Sequence, residues 1–293
     1  MIICPLCRGT INIQDNGAYA CTGCGHVLVS GDGIVFFHPE EQESNEGMEA
    51  IILDDLVQYE EKHFWITARR SYLGWIFKQY VRPEDAIIEI GAGTGYVAKN
   101  MIDCGYRNYS IGDIHKKGLL LAGAYDYRHK YQFNLLRPVF AGHFDVVGMF
   151  DVLEHIDVPG EAVHNVRKML KKGGRVIVTV PGHKWLWSKQ DAIAYHRRRY
   201  EIDELKELFT ANGFKILKAS GFFTTLIPFM YLRTIINRDD GKLCPKDYKK
   251  RFKVNRGINL LLELLLRLEV AVGKNVSRRY GGSMIIVAEK SED

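Results

Sequence analysis

The stretch AIIEIGAGTGYVAKN, residues 86–100, constrains the fold of this chain more than any other. A run of large aliphatic residues reads as a buried strand. Glycines follow at 91, 93 and 95, and a helical pattern then takes over. Comparable β-rich runs lie at 109–113, 131–134, 145–150 and 175–180, separated by helical stretches near 95–104, 116–128 and 160–171. FKILKAS and SMIIVAEK supply two later strands. Alternation of this kind predicts an α/β fold, a doubly wound and mainly parallel seven-stranded Rossmann-like sheet. Ligands of such sheets bind at the carboxyl ends of the strands, so the residues just after each strand carry the chemistry.

The glycines depart from the dinucleotide pattern G-x-G-x-x-G, because Tyr96 stands at the third glycine position and Gly95 comes one step early. Glu89 lies two residues before Gly91. A carboxylate there repels a pyrophosphate and attracts a ligand bearing an ammonium and a sulfonium, the charges of S-adenosylmethionine. Asp113 closes the next strand, eighteen residues past Gly95. An acid at that place accepts both hydroxyls of a ribose, or alternatively caps a helix. Asn134 and Leu135, after the third strand, are placed to contact an adenine ring. Ala92, Tyr96 and Ile114 complete the expected lining.

These residues together resemble the class I S-adenosylmethionine-dependent methyltransferases. EIGAGTG is similar to their first motif, Asp113 to their ribose acid, FDVVGMFDVLEHIDVP to their fourth strand and its loop, and LKKGGRVIVTVP to their fifth strand. The resemblance covers about residues 59–220 and the last strand. It implies that Asp151 lies beside the cofactor. It also implies that HFWITARR covers the cofactor, with Trp65 and Arg69 in contact and Arg69 on the methionine carboxylate; an ordinary amphipathic helix is the alternative. Asn134 stands where many members have Asp, and an amide oxygen can still accept from the adenine amino group.

Methyl transfer to a hydroxyl requires alignment of the nucleophile and removal of its proton. Candidates follow strands four and five. His155 is either a base or an orienting histidine. PGHKWLWSKQDAIAYHRRRY, residues 181–200, offers an apolar wall (Trp185, Trp187), a base (His183 or His196), an orienting acid (Asp191) and anion binders (Arg197, Arg198). The alternative is a packed loop with a solvated basic helix start. There is no N/D-P-P-Y sequence after strand four and no Pro-Cys pair, which argues against base-nitrogen and pyrimidine-carbon methylation.

Two CxxC pairs, Cys4/Cys7 and Cys21/Cys24, have thirteen residues between them and suit a tetrahedral thiolate zinc site more than two disulfides. His26 is a substitute ligand; Cys104 and Cys244 read as structural thiols. With GHVLVSGDGIVFF the first 38 residues resemble the zinc ribbon found before some methyltransferase domains and in small methyltransferase-activating proteins. The expected organisation is therefore a ribbon over 1–38, a polar linker over 39–58 and a methyltransferase domain over 59–293 containing a helical insertion at 221–280.

The insertion is apolar at 221–237, cationic at 246–256 and helical in period at 258–272. It reads as a lid, as a homodimer surface, or as an amphipathic element bringing the active site to a lipid-linked substrate at an anionic membrane. A net charge of +5 is too small to imply nucleic acid by itself. With a cysteine at position 4 and no apolar leader, the expected location is the cytoplasm, with contact at the inner membrane face left open. The leading expectation is O-methylation of a small or lipid- or glycan-linked substrate. An RNA methyltransferase gripping through ribbon and basic stretch, and a non-catalytic partner protein, are the alternatives.

Overall fold

A computed structural model describes residues 1–41, 53–54, 56–236 and 254–291. Much of the expected linker, Cys244 and residues 246–253 of the cationic stretch lie outside the described residues. The first strands are β1 (Ile2–Ile3), β2 (Thr10–Ile13), β3 (Tyr19–Cys21), β4 (Val29–Gly31) and β5 (Ile34–Phe36). Helix α1 (Phe64–Tyr80) opens the next part, followed by β6 (Ile87–Ile90), α2 (Tyr96–Asp103), β7 (Tyr109–Asp113), α3 (Lys116–Leu121) and β8 (Lys130–Gln132). Then come β9 (Phe144–Phe150), α4 (Pro159–Met169), β10 (Leu170–Pro181), α5 (Lys189–Ile193), α6 (Ile202–Ala211) and β11 (Phe214–Phe222). The chain closes with α7 (Ile227–Ile236), α8 (Arg256–Gly273) and β12 (Ser283–Lys290).

Strands β6 to β12 make the expected seven, in the order β11-β12-β10-β9-β6-β7-β8. The run β10-β9-β6-β7-β8 is parallel, and β12 enters antiparallel between β10 and β11. The sheet does not end at β8. Strand β5 pairs with β8 in parallel, Val35 opposite Tyr131, and β4 closes the edge, giving nine strands. Among the described residues only β1-β2-β3 stay apart, as a small antiparallel sheet. Part of the stretch expected in the ribbon thus belongs to the main sheet.

Burial follows from this order. Strands β6, β9 and β12 are covered on both faces, so their residues are mostly apolar and buried without alternation, Glu89 of β6 being buried with the rest. One core cluster runs from Ile2, Cys4 and Cys21 through Phe37, Tyr131 and Phe140 to Leu205 and Phe209. The other lies under α1, with Tyr72, Leu73, Ile76 and Phe77 against Ile87, Tyr109 and Ile285.

Helix α8 rests on α1. Asn259 donates to the Lys62 carbonyl at 2.8 Å and accepts from the Phe64 amide at 3.0 Å. Leu266 is buried, and Leu262 and Val270 pack against the core. The other side is also apolar but uncovered: Leu261 is 66% exposed, Leu268 63% and Val272 74%. No residue of α7 is buried, and Phe229, Leu232 and Ile236 are exposed. Among the described residues no helix is long and apolar enough to cross a membrane.

Candidate active site

The glycine loop joins β6 to α2 with φ of 67° at Gly91, 52° at Gly93 and 71° at Gly95, a region glycine adopts without steric cost. At Gly91 a side chain is excluded as well, since a Cβ would fall 2.5 Å from Val152 Cγ2. The Gly93 amide donates to Asp113 Oδ2 at 2.9 Å, and Asp113 Oδ1 accepts from the His115 amide at 2.8 Å. Asp113 therefore brackets the loop and caps the turn into α3, at the strand end where the ribose acid is expected.

Acids crowd this edge of the sheet. Glu89 is buried and accepts from Tyr109 Oη at 2.9 Å; burial pushes its carboxyl up to about 8. Glu60 accepts from Thr94 Oγ1 on the loop, and burial raises its pKa. Asp151 follows β9 at φ 61° and accepts from Thr179 Oγ1 at 3.2 Å. Arg69 forms an ion pair with Asp151, and its guanidinium lies 4.6 Å from the centre of the Trp65 ring. Burial lowers the Arg69 pKa to about 10, against the pull of Glu89, Glu154 and Glu60. Four acids and one arginine around a left-handed glycine turn suit a ligand with a cationic end and a single carboxylate. S-adenosylmethionine fits that donor set.

The remaining expected contacts are placed as follows. Ala92 is buried, and its amide donates to the Gly112 carbonyl at 3.2 Å. Tyr96 Oη accepts from Arg70 at 3.2 Å. The Ile114 carbonyl accepts from Gln132 Nε2 at 3.0 Å. Asn134 Oδ1 accepts from the Leu136 amide at 2.8 Å, and its amide group donates to Glu41. Leu135 is buried and its carbonyl accepts from Asn165 at 3.1 Å.

Beyond β10 the structure brings Asp191 and His196 together and holds His183 apart. Asp191 Oδ1 is 3.0 Å from His196 Nδ1 and accepts from Arg199 Nε at 2.8 Å, while Oδ2 accepts from Arg199 Nη2 at 3.1 Å and the Ser188 amide at 2.9 Å. Burial opposes ionisation of Asp191, but the bond to His196 and the Arg199 guanidinium outweigh it and hold the carboxyl well below the usual range. Ser188 and Asp191 also form the capping box of α5. His183, at φ 61°, spans Glu201 Oε2 at 2.7 Å and the Gly281 amide at 3.3 Å through its two ring nitrogens, so both are engaged in bracing the loop.

His196 Nε2 lies 3.9 Å from Glu154 Oε1, and the His155 ring stands edge-on to His196 at 5.0 Å. Glu154 is fully buried with neither oxygen hydrogen bonded among the described residues, and burial raises its pKa to about 8. Its charge couples to Arg69, which ties this cluster to the loop. Glu154 escaped the sequence reading because nothing in DVLEHIDVP separates it from a solvated acid. Arg199 escaped because three consecutive arginines look alike. Arg197 pairs instead with Asp157 at 3.3 Å, and Arg198 donates to the Asp157 carbonyl at 3.0 Å. Trp185 is 46% exposed, stacks on His183 at 5.2 Å and meets the Tyr231 ring of α7 edge-on at 5.9 Å.

At the N-terminus the ligand atoms of Cys4, Cys7, Cys21 and Cys24 all lie within 4.8 Å of one another. Sγ separations of 3.8 Å (Cys4–Cys24) and 3.4 Å (Cys7–Cys21) are close to the edge of a tetrahedron with metal–sulfur bonds, about 3.8 Å when those bonds are about 2.3 Å. The donor set fits a zinc ion.

A family model described as a methyltransferase domain matches residues 59–219, more than half of the chain. Ubiquinone biosynthesis O-methyltransferase of Marinobacter nauticus is 31% identical over 102 residues, covering 31% of this chain and 42% of the relative. The Psychrobacter cryohalolentis protein of the same name is 28% identical over 102 residues, covering 32% and 39%. The chain thus spans less than half the length of these curated relatives. Among solved structures, the complex of the Haloferax volcanii Trm112 methyltransferase activator with a methyltransferase aligns at a TM-score of 0.55 with 14% identity, over 84% of this chain and 96% of that one. Phosphoethanolamine N-methyltransferase 2 of Haemonchus contortus, in complex with S-adenosyl-L-methionine, aligns at 0.53 with 15% identity, over 94% and 62%. The chain belongs to the methyltransferase-domain family.

Proposed function

We propose that this enzyme methylates a hydroxyl group on a small or lipid-linked acceptor, with His196 as the base. The observation that carries the reading is the Asp191–His196 pair at 3.0 Å, set beside the buried Glu154 at the edge where Arg69 meets Asp151. Asp191 keeps the proton of the imidazole on Nδ1, so Nε2 takes the proton of the acceptor. Arg199 keeps Asp191 ionised through that exchange. When bound, S-adenosylmethionine supplies the methyl group. Glu89 faces its ammonium and Arg69 its carboxylate. Two relatives are O-methyltransferases by name, which supports oxygen as the methylated atom.

The lipid-linked part of the reading rests on the uncovered apolar sides of α7 and α8. Trp185 joins α7 to the loop after β10, so this surface continues to the segment that carries Asp191 and His196. An apolar surface of that extent beside an active site suits a hydrophobic acceptor and a cytoplasmic enzyme working at the inner face of a membrane. Zinc in the four thiolates completes the assignment.

The test is incubation of the purified enzyme with methyl-labelled S-adenosylmethionine and a cell extract, followed by separation into organic, aqueous and RNA fractions. Label is expected in the organic fraction, on oxygen. Label in RNA overturns the acceptor class. Label confined to nitrogen overturns the base assignment.

A further inference from the structure

The segment that leaves the cysteine-rich sheet runs straight into the cofactor edge. Strand β5 is parallel to β8, β7 and β6, so its carboxyl end faces the same way as theirs. The residues after β5 therefore stand in line with Asn134 after β8, Ile114 after β7 and the glycine loop after β6. The family match begins only at residue 59, so these residues lie outside the domain that defines the family.

Hydrogen bonds lock this exit in place. The Phe37 amide donates to the Gln132 carbonyl at 2.9 Å. His38 is 1% exposed; its amide donates to Gln132 Oε1 at 3.2 Å and its carbonyl accepts from Gln132 Nε2 at 3.0 Å. The same Gln132 Nε2 reaches the Ile114 carbonyl at 3.0 Å, next to Asp113. The Asn134 amide donates to His38 Nδ1 at 3.2 Å, and the Asn134 side chain donates to Glu41. His38 Nδ1 is thus an acceptor, which places the proton of the neutral ring on Nε2. Burial favours that neutral form. These hydrogen bonds fix the position of a buried histidine at the strand's carboxyl end.

The exit is also continuous with the cysteine site. Cys4, Cys21, Tyr19 and Leu28 share one apolar cluster with Val35, Phe37, Phe133 and Leu135. Arg8 donates to the Pro138 carbonyl at 2.9 Å, and Tyr19 Oη meets His129 Nδ1 at 3.1 Å. Loss of the ion that ties the four thiolates together would loosen the layer that presses β5 onto β8.

We infer that residues 37–41 form the adenine end of the cofactor pocket, with His38 the positioning residue, so that the cysteine-rich sheet is a working part of cofactor binding. This deepens the proposed function and rests on its placement of the cofactor. Three consequences follow: cofactor affinity depends on the metal, the dependence is felt at the base and not at the methionine end, and His38 transmits it.

The experiment uses the full-length, zinc-loaded protein and measures binding of S-adenosylhomocysteine and of S-inosylhomocysteine, which differ only at C6 and the adjoining N1 of the base. His38→Ala is expected to weaken S-adenosylhomocysteine binding about tenfold or more and to shrink the preference for adenine over hypoxanthine. Zinc content and circular dichroism should stay unchanged. Chelation should produce the same two changes, and added zinc should reverse them. Should His38→Ala fail to fold, Glu41→Gln is the replacement variant, with the same expected loss of preference. Full affinity and full preference in a zinc-loaded variant, or in folded metal-free protein, overturn the inference. Wild-type protein that binds neither nucleoside would instead overturn the cofactor placement itself, a failure distinct from the first.

Discussion

Glu89 and Glu154 are both buried, the Arg69 charge acts on each of them, and burial raises both carboxyls to about 8. The sign of the effect on folding follows directly. Each holds its proton more tightly folded than unfolded, so the stability it contributes is complete below about 4.5 and drains away as pH rises toward about 8. Cofactor affinity runs the other way, because the cationic end of the ligand binds ionised Glu89. Titration calorimetry is expected to show tighter S-adenosylmethionine binding between about pH 6 and about pH 8.5, with Glu89→Gln flattening the profile. A flat profile in the wild type would remove Glu89 from the site. The two histidines separate by the same logic of partners. His196→Gln should lower turnover about 100-fold or more while S-adenosylhomocysteine affinity holds, whereas His183→Gln should lower the melting temperature more than the rate. Asp191→Ala is the wrong probe for catalysis, since it leaves the buried Arg199 unpaired and should cost about 3 kcal/mol or more of stability.

Helix α8 is apolar around most of its circumference, and only one side meets α1. Replacing Leu264 and Leu268, both exposed, with Asp should leave the melting temperature nearly unchanged. It should abolish co-sedimentation with anionic vesicles and methylation of a lipid-linked acceptor. Retained co-sedimentation, or conversion of a dimer to a monomer, would assign that surface to a second copy instead. At this scale the sequence was most legible where a strand is buried on both faces. Residues 86–90 and 283–290 contain no polar alternation to mislead, and both strands were expected within a residue of where they lie. The pairing of β5 with β8 was not legible. A three-residue strand has too few side chains for a pattern, and its register is set by Tyr131 and Gln132, almost a hundred residues away. The same holds at the site: which of three arginines turns inward to meet Asp191 depends on the loop's path back to β10.

Across the whole molecule, the cofactor edge is assembled from segments far apart in the chain: β5 from the cysteine-rich region, β6 to β10 from the family domain, and α1 laid across them. The acceptor side proposed above has a different origin. Strands β11 and β12 are hydrogen-bonded neighbours, with Phe222 opposite Ser283, yet α7, α8 and their connection are threaded between those two partners. The ends of a sixty-residue excursion are thus pinned side by side by the sheet itself. Loop-closure entropy grows only slowly with length, so lengthening or exchanging this excursion costs the sheet little. A graft of a different helical pair between 222 and 283 that still covers α1 should leave cofactor binding intact and change only what is methylated. On the proposed function, acceptor choice would reside in an excursion that the sheet holds at both ends, a detachable cassette beside the cofactor edge.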